Sequence, residues 1–264
     1  MAEYISLYSG SDGNCSVIAE KEKFLIIDMG KTARATTNAI KELGFDLNNL
    51  QGILVSHEHT DHVAGLKVFL KKLSVPVYSN VSTLNWLSRN DMVPSHISLK
   101  EMPKEGENIG DFFVEGFDTP HDSLGCMGFD IHTKSGSRMT MATDLGHITE
   151  DILARFKNTS LAVLESNYND RLLKENPNYP YYLKTRIASE RGHLSNMQFA
   201  KAALDIIESG VEKFHLCHLS SNNNTPSTAL GDFAAAAMIK GVNIDKLNVL
   251  KVNSRHQITP PTEF

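Results

Sequence analysis

The sequence predicts a layered α/β sandwich, in which two β-sheets are flanked by helices. Apolar runs that suit buried strands follow one another closely near the N-terminus, whereas strands and helices alternate in the second half. The composition, 41% hydrophobic and 22% charged, is typical of a globular protein with a sizeable core. No repeat, low-complexity tract or flexible linker divides the sequence, so we expect a single domain over residues 1–264.

The first half of the chain is predicted to form five strands and two helices. The strands cover residues 4–8, 16–20, 24–28, 52–55 and 75–79. A helix over 31–43 is predicted from its apolar spacing, with Gly44 ending it, and a second helix is predicted over 63–73.

The second half repeats this pattern with six strands and three helices. The strands cover residues 112–117, 128–132, 138–142, 161–166, 213–219 and 248–252. The helices are predicted over 149–156, 195–207 and 228–240, the last of them rich in alanine. The alternation of strands and helices in this half favours helices packed on the outer faces of the sheets.

The charge balance is mildly acidic, with 26 Lys and Arg against 31 Asp and Glu and a formal net charge of −5. It indicates no global nucleic-acid or membrane surface, so an anionic substrate needs local positive charge or a metal. The N-terminus lacks the pattern of a signal peptide, and no apolar run reaches the about 18 residues of a membrane span. The three cysteines form no CxxC pair. We therefore expect a cytoplasmic protein without a membrane partner.

The strongest chemical signal is HEHTDH at residues 57–62, directly after an apolar strand. His57 and His59 can converge on one ion, while Asp61 and His62 can face a second. Imidazole and carboxylate ligands suit divalent Zn, Mn or Fe and leave coordination positions open for water. The alternative, a histidine-rich surface loop without metal, does not account for the full HxHxDH spacing.

One loop cannot complete two metal sites, so further ligands must come from elsewhere in the chain. Asp28, His121, Asp144 and His218 each stand where a predicted strand runs into a turn. Several loops could therefore meet on one rim of the fold. Taken alone, each of these residues could equally be an ordinary core, surface or turn-capping side chain.

The ordered set of HEHTDH and these four residues resembles the metallo-β-lactamase superfamily over residues 1–252. The motifs SGSDGN, RGHLSN and HLSSNNNTP are most similar to its YycJ/WalJ branch of nucleases. The resemblance implies a four-layer αββα sandwich with a dinuclear metal site between the sheets. It also implies ligand sets: His57, His59 and His121 for one ion, Asp61, His62 and His218 for the other, and Asp144 as the bridge. Asp28 would orient the HEHTDH loop without binding metal.

Two such ions can share a hydroxide that serves as the nucleophile, which indicates hydrolysis without identifying the substrate. A phosphodiester also needs a proton for its leaving oxygen, and a histidine held by a carboxylate is a suitable donor. Glu165 ends a predicted strand and His193 precedes a helix, which is similar to a pair in ribonuclease Z-type phosphodiesterases. We expect Asp61, Glu165 and His193 to be catalytic. The alternatives are a surface carboxylate for Glu165 and a helix-capping or phosphate-binding role for His193.

Substrate contacts are expected from three segments. The stretch 168–191 mixes four tyrosines with five cations, so it could bind phosphates and stack on bases or could equally be a structural loop. Loops 9–14 and 220–225 offer hydroxyl and amide groups or plain turns. The candidate substrate-binding residues are Ser11, Asn14, Lys184, Arg186, Arg191, Ser220 and Asn223.

The leading functional hypothesis is a metal-dependent phosphodiesterase acting on nucleic acid. The resemblance specifies a DNA exonuclease that degrades duplex DNA from 5′ to 3′, whereas the residues do not distinguish DNA from RNA. A small-molecule thioesterase or lactonase on the same site is the alternative, and a metal-binding module without turnover is a third. The sequence leaves the native metal, the oligomeric state and the pathway open.

Overall fold

A computed structural model describes all residues, 1–264. Its strands are β1 (Ala2–Tyr8), β2 (Cys15–Glu20), β3 (Lys23–Ile27), β4 (Leu50–Leu54), β5 (Val77–Ser79), β6 (Leu99–Glu101), β7 (Glu107–Ile109), β8 (Phe112–Thr119), β9 (Cys126–Thr133), β10 (Arg138–Ala142), β11 (Leu161–Glu165), β12 (Lys213–Cys217), β13 (Val249–Val252) and β14 (Thr262–Glu263). Its helices are α1 (Ala33–Glu42), α2 (Thr60–Val63), α3 (Leu66–Leu70), α4 (Val81–Arg89), α5 (Glu150–Phe156), α6 (Asp170–Glu175), α7 (Tyr181–Ile187), α8 (Asn196–Glu208) and α9 (Pro226–Lys240). No helix is long and apolar enough to cross a membrane.

The strands form two mixed sheets of seven strands each. The first has the order β14-β1-β2-β3-β4-β5-β6, and the second has the order β13-β12-β11-β10-β9-β8-β7. The run from β3 to β6 is parallel in the first sheet. The run from β10 to β13 is parallel in the second. The earlier strands of each sheet pair antiparallel, from β1 to β3 in the first sheet and from β7 to β10 in the second.

Three apolar clusters separate the layers. The central one joins residues of both sheets, such as Leu25 and Phe129. A second packs α1, α3 and α4 on the outer face of the first sheet, and a third packs α5, α8 and α9 on the second sheet. Because both faces of both sheets are buried, their parallel strands are continuous apolar runs. This arrangement confirms the predicted αββα sandwich.

Three strand ends have an unusual backbone. Asp28, Asp144 and His218 directly follow or closely follow β3, β10 and β12, and their φ angles are 58°, 57° and 55°. Residues other than glycine rarely adopt this left-handed conformation, and where they do the surrounding structure must hold them in place. The strained turns lie at the carboxyl ends of parallel strands, which is the edge where the site described below is located.

The structure differs from the sequence prediction in several elements. Of the helix predicted over 63–73 the structure forms the shorter α3, and Val63 instead ends α2. Between them Gly65 lies so close to Lys31 that a Cβ would be 2.0 Å from its carbonyl oxygen. Helices α4, α6 and α7 and strands β6, β7 and β14 were not predicted. The three strands have only two or three residues, and α7 has no buried residue. The strands are therefore too short, and α7 too exposed, to show a clear periodic pattern of apolar residues in the sequence.

A glycine fixes the HEHTDH loop against the N-terminal strands. A Cβ at Gly30 would lie 1.6 Å from the carbonyl oxygen of Asp61, where only backbone movement could relieve the clash. We expect Gly30→Ala to lower the free energy of unfolding by about 3 kcal/mol, measured by urea denaturation. Gly231→Ala is the control, since its Cβ on α9 meets no atom within 4 Å and should stabilise the protein by about 0.5–1 kcal/mol. Equal midpoints for the two variants would contradict this account.

Candidate metal centre

The HEHTDH segment is separated from the end of β4 by two residues, and its second half lies in α2. His59 occupies the N-cap position of α2, but its side chain makes no capping hydrogen bond. His57 and His62 are fully buried. The short turn therefore directs several imidazoles to one point at the edge of the first sheet.

The remaining predicted ligands come from loops after strands of the second sheet. Their ligand atoms form groups that lie within 4.8 Å of one another: His57, His59 and His121; His57, His62 and Asp144; Asp61, His62 and His218; and Asp144, Glu165, His193 and His218. The structure thus brings together every residue that was expected to bind metal. Their roles as ligands stay a prediction.

The chemistry of this cluster fits a divalent cation. Each buried imidazole has its Nδ1 occupied by the protein: His57 by Ser56 Oγ at 3.0 Å, His62 by Asp28 at 2.8 Å, His121 by the Gly192 carbonyl at 2.9 Å and His218 by Glu165 at 2.8 Å. Nε2 is thereby left as the nitrogen available for a metal. The buried Nε2 of His57 and Oδ2 of Asp144 have no hydrogen-bond partner. A buried nitrogen and a buried carboxylate oxygen without protein partners are suited to coordinate a cation.

The pKa values show how strongly negative the cluster is. Burial lowers the pKa of His57 and of His121, which favours the neutral imidazoles that metals require. Burial also acts against a charged His218, but the neighbouring carboxylate of Asp144 and those of Asp61 and Glu165 outweigh it and raise the His218 pKa to about 10. For Asp144, burial opposes ionisation, yet His218 and the other histidines hold its pKa well below the usual range. Without a cation, protons must balance the carboxylates.

Asp28 contacts the HEHTDH loop and does not belong to the ligand groups, and its orienting role stays a prediction. Its carboxylate accepts hydrogen bonds from the backbone N–H of Ser56 at 2.8 Å and from the Ser56 hydroxyl, and it contacts His62 Nδ1. Asp28 is almost fully buried. The carboxylate therefore fixes the orientation of the His62 ring from the side opposite the cluster.

Replacing Asp28 by asparagine is expected to weaken metal binding by about 10–100-fold, because His62 loses its charged partner. Asparagine tolerates the left-handed backbone at this position, so the turn itself should persist. Zn²⁺ affinity measured by chelator competition tests this. Asp111→Asn, which affects only an exposed pair with Lys134, is the control. An unchanged affinity in Asp28→Asn would show that the orientation of His62 does not depend on the carboxylate.

Glu165 joins the predicted proton donor to the ligand cluster. Its Oε1 lies 2.8 Å from Nδ1 of His193 and 2.8 Å from Nδ1 of His218. Its Oε2 accepts hydrogen bonds from the backbone N–H groups of Leu145 and Leu194. Burial acts to raise the pKa of Glu165, but His193 and His218 lower it to about 2. The carboxylate is therefore charged, and both of its oxygens are in hydrogen-bond contact with the protein.

His193 is correspondingly biased toward its protonated form. Burial acts to lower its pKa, but the Glu165 carboxylate and then Asp144 outweigh burial and raise the pKa above its ordinary value. Since Nδ1 faces Glu165, Nε2 is the nitrogen that can donate outward. The sequence placed the two residues in one site, and the structure shows that they are in contact. Their catalytic role is a proposal.

A cavity of about 190 Å³ opens over the cluster. Its lining includes His59, His121 and His193 together with Asp122, Asn167, Tyr179, Leu183 and Ile187. A larger cavity of about 910 Å³ lies between β8, β9 and α5, but no candidate metal ligand lines it. Because the chemistry is in the smaller cavity, we take that one as the candidate active site. Of the predicted substrate contacts, Ser11, Arg186 and Ser220 line it.

The other four predicted substrate contacts do not line this cavity, and each has a different structural use. Asn14 is buried, and its side-chain amide contacts Asp61 and His62, so it supports the ligand loop. Arg191 donates two hydrogen bonds to the carbonyl of His121. Lys184 donates to the carbonyl of Lys174. Asn223 is 0% exposed and bonds to Asn176 and Ser220.

Sequence reasoning missed several residues that position the site. Ser56 bridges Asp28, His57 and His62 through one hydroxyl. Asn167 donates to the carbonyl of His218 at 2.8 Å and lines the cavity. Both follow the ends of strands, as the predicted ligands do, and that position could have identified them.

The fold and the site agree with the comparisons to known proteins. A family model described as a beta-lactamase superfamily domain matches residues 25–218. The chain belongs to the metallo-β-lactamase superfamily. The fold and the exodeoxyribonuclease names of its relatives make the chain a metal-dependent hydrolase. Within the superfamily it lies in the YycJ/WalJ branch.

Two curated relatives define that branch. Exodeoxyribonuclease YycJ from Bacillus anthracis is 31% identical over 239 residues, which are 90% of each chain. Exodeoxyribonuclease WalJ from Streptococcus pneumoniae is 30% identical over 233 residues, which are 86% of this chain and 85% of that protein. At these coverages both alignments span the HEHTDH motif and most of the chain, so the likeness is not confined to one motif.

Solved structures show the same metallo-β-lactamase fold at low sequence identity. The fold protein YhfI from Bacillus subtilis has a TM-score of 0.73 at 13% identity and covers 98% of this chain and 99% of its own. The human tRNase Z short form has a TM-score of 0.61 at 16% identity and covers 83% of this chain and 93% of its own. These likenesses concern the fold alone.

Proposed function

We propose that this protein is a dinuclear-metal-dependent phosphodiesterase that acts as a DNA exonuclease, degrading duplex DNA from 5′ to 3′. The observation that carries the proposal is the His193–Glu165 pair beside the ligand cluster, at 2.8 Å. Hydrolysis of a phosphodiester releases an alkoxide that needs a proton, and this pair is arranged to provide one. The exodeoxyribonuclease names of YycJ and WalJ support DNA as the substrate.

The arrangement of Asp144 supports two ions rather than one. Its Oδ1 lies 3.6 Å from Nε2 of His121, and its Oδ2 lies 3.2 Å from Nε2 of His62. Oδ1 also lies 3.7 Å from Nδ1 of His218, so the carboxylate stands between the His57, His59, His121 group and the Asp61, His62, His218 group, where it could bridge two ions. When bound, a pair of divalent ions (Zn, Mn or Fe) would activate water as the nucleophile and neutralise charge on the phosphate.

The protein's own groups then have separate tasks. Asp61 contacts Nε2 of both His62 and His218 and contributes a negative charge to the second ligand group. Glu165 keeps His193 oriented and protonated through Nδ1. His193 donates its Nε2 proton to the departing oxygen of the DNA strand. Ser11 and Ser220, at the cavity wall, offer hydroxyl groups to the substrate phosphate.

A substrate comparison separates this function from a thioesterase or lactonase on the same site. The metal-loaded protein is assayed on bis-p-nitrophenyl phosphate, a chromogenic thioester and end-labelled duplex DNA. We expect the phosphodiester and the DNA to be hydrolysed faster than the thioester. Faster thioester turnover with no DNA cleavage would instead identify the protein as a small-molecule hydrolase.

A cytoplasmic location also stays a prediction, supported by three buried free cysteines.

A further inference from the structure

Helix α7 is an unusual wall for an active site. It contains no buried residue, yet Leu183, Arg186 and Ile187 of this helix line the cavity, as does Tyr179 just before it. A few polar contacts hold it in place: Arg186 pairs with Asp122, Lys184 donates to the Lys174 carbonyl, the Ile187 carbonyl accepts from the backbone N–H of His193, and Tyr179 accepts a hydrogen bond from Asn222 at 3.0 Å. Leu183 and Ile187 are only half-buried at the cavity, so α7 gains little from packing, and its outer surface is available for another use.

The cavity below α7 is small for a polymeric substrate. Its volume of about 190 Å³ is below the about 300–1,000 Å³ that is typical of ligand pockets. A nucleic-acid strand with its scissile phosphate at the metal cluster must therefore place its neighbouring nucleotide outside the cavity. The rim formed by α7 is a wall over which that nucleotide can pass.

The exposed side chains of α7 suit such a nucleotide. Tyr181 is 84% exposed and Tyr182 is 73% exposed, although large aromatic side chains usually bury most of their surface. At 100° per residue, Tyr182 lies about 40° from Arg186, one turn away and next to the cavity face. Tyr181 lies about 160° from Leu183, on the opposite side of the helix. Neither tyrosine lines the cavity itself, but Tyr182 lies beside the lining residue Arg186, whereas Tyr181 lies about 140° from it around the helix.

Arg186 has donors available beside Tyr182. Its Nε–H donates to Asp122, and its two Nη groups make no hydrogen bond. The Asp122 pair fixes the direction of the guanidinium while leaving the outer edge of its fork free, which is the edge that binds a phosphate in bidentate fashion. An aromatic ring and a guanidinium about one helical turn apart match the base and the phosphate of one nucleotide.

We propose that Tyr182 and Arg186 bind the nucleotide that flanks the scissile phosphodiester, Tyr182 by stacking on its base and Arg186 by contacting its phosphate. This inference rests on the proposed nuclease function and specifies the substrate of that site. It implies that the enzyme favours a nucleic acid over a small phosphodiester, and that the flanking base is unpaired when it stacks. Stacking on one ring has little base preference, so the contact is sequence-tolerant.

The test compares oligonucleotides with a small phosphodiester as substrates of four forms of the full-length, metal-loaded protein: wild type, Tyr182→Ala, Tyr182→Phe and Tyr181→Ala. The kcat and KM values are measured on end-labelled DNA and RNA oligonucleotides and on bis-p-nitrophenyl phosphate. For Tyr182→Ala we expect a rise of about tenfold in KM for the oligonucleotide, with kcat within about twofold. The ratio of kcat/KM on oligonucleotide to kcat/KM on the small ester should fall by the same factor.

The two other variants make the result specific. Tyr182→Phe keeps the ring and should keep the ratio within about twofold of wild type. Tyr181→Ala removes an equally exposed ring from the same helix and should leave the ratio unchanged. An unchanged ratio in Tyr182→Ala, or an equal fall in Tyr181→Ala, would overturn the proposal. A wild type that hydrolyses the small ester but no nucleic acid would overturn the nuclease function and this proposal together.

Arg186 has an independent test in the salt dependence. Each phosphate contact to single-stranded nucleic acid contributes about 0.7 to the slope of log affinity against log salt concentration. The slope of log(1/KM) for the oligonucleotide against log salt concentration should therefore become shallower by about 0.7 in Arg186→Ala. An unchanged slope, with KM raised equally at all salt concentrations, would indicate that Arg186 only positions α7.

Discussion

Replacing His59 by alanine is expected to reduce kcat/KM for phosphodiesters by about 10³-fold or more while leaving the fold intact. The reduction follows because the ring of His59 lies 4.6 Å from that of His57 and 5.2 Å from that of His121, in the first ligand group. The fold should persist because the side chain is only partly buried and makes no hydrogen bond to cap α2. Hydrolysis of bis-p-nitrophenyl phosphate, metal content and thermal unfolding together measure this.

The control for this variant is His96→Ala, which removes an exposed histidine far along the chain from every ligand group. It should keep both the activity and the metal content of the wild type. Full activity of His59→Ala with its metal content preserved would remove the first ligand group from the mechanism. Loss of the cooperative thermal unfolding transition would instead show that the imidazole is needed for folding.

His193→Ala is expected to lower kcat on DNA by about 10²–10⁴-fold, with a much smaller loss on bis-p-nitrophenyl phosphate. The difference arises from the leaving groups. A sugar alkoxide is a strong base that needs a proton as it departs, whereas p-nitrophenolate is stable without one. The pair of His193 with Glu165 therefore matters in proportion to the basicity of the leaving oxygen. Parallel assays of both substrates measure the two losses.

Metal content distinguishes a proton donor from a ligand at this position. His193 Nδ1 lies 3.7 Å from Asp144 Oδ1, so His193 is close enough to the ligand cluster to bind metal itself. As a donor, its removal leaves the bound metal at the wild-type amount. Equal losses on the two substrates, accompanied by lost metal, would assign His193 to the ligand sphere and remove the donor from the proposed mechanism.

The metal cluster could be predicted from sequence because its position follows from strand ends. Asp28, Asp144 and His218 each end a strand of a parallel run, and the carboxyl ends of such strands share one edge of the sandwich. The sequence also indicated that Glu165 and His193 belong together, and they are in contact. In both cases the place of a residue next to a strand or a helix indicated which distant residues it would meet in the fold.

The substrate-facing residues could not be predicted in the same way. The Arg186–Asp122 pair joins residues 64 positions apart and depends on how α7 lies against the loop of His121. Asn14, Arg191 and Asn223 looked like substrate contacts because they are polar and near the motifs. In the folded chain their hydrogen bonds are used to support ligand loops and turns. Polarity alone does not tell whether a side chain faces a cavity or its own backbone.

The central claim, a metal-dependent nuclease, is tested most directly by digestion of end-labelled nucleic acids with Mn²⁺ or Zn²⁺ present. Duplex DNA, single-stranded DNA and RNA are compared, each labelled in turn at the 5′ and the 3′ end. We predict progressive shortening of duplex DNA from its 5′ end, which is lost when a chelator removes the metal. Intact polymers in every reaction, with the metal shown to be bound, would contradict the claim.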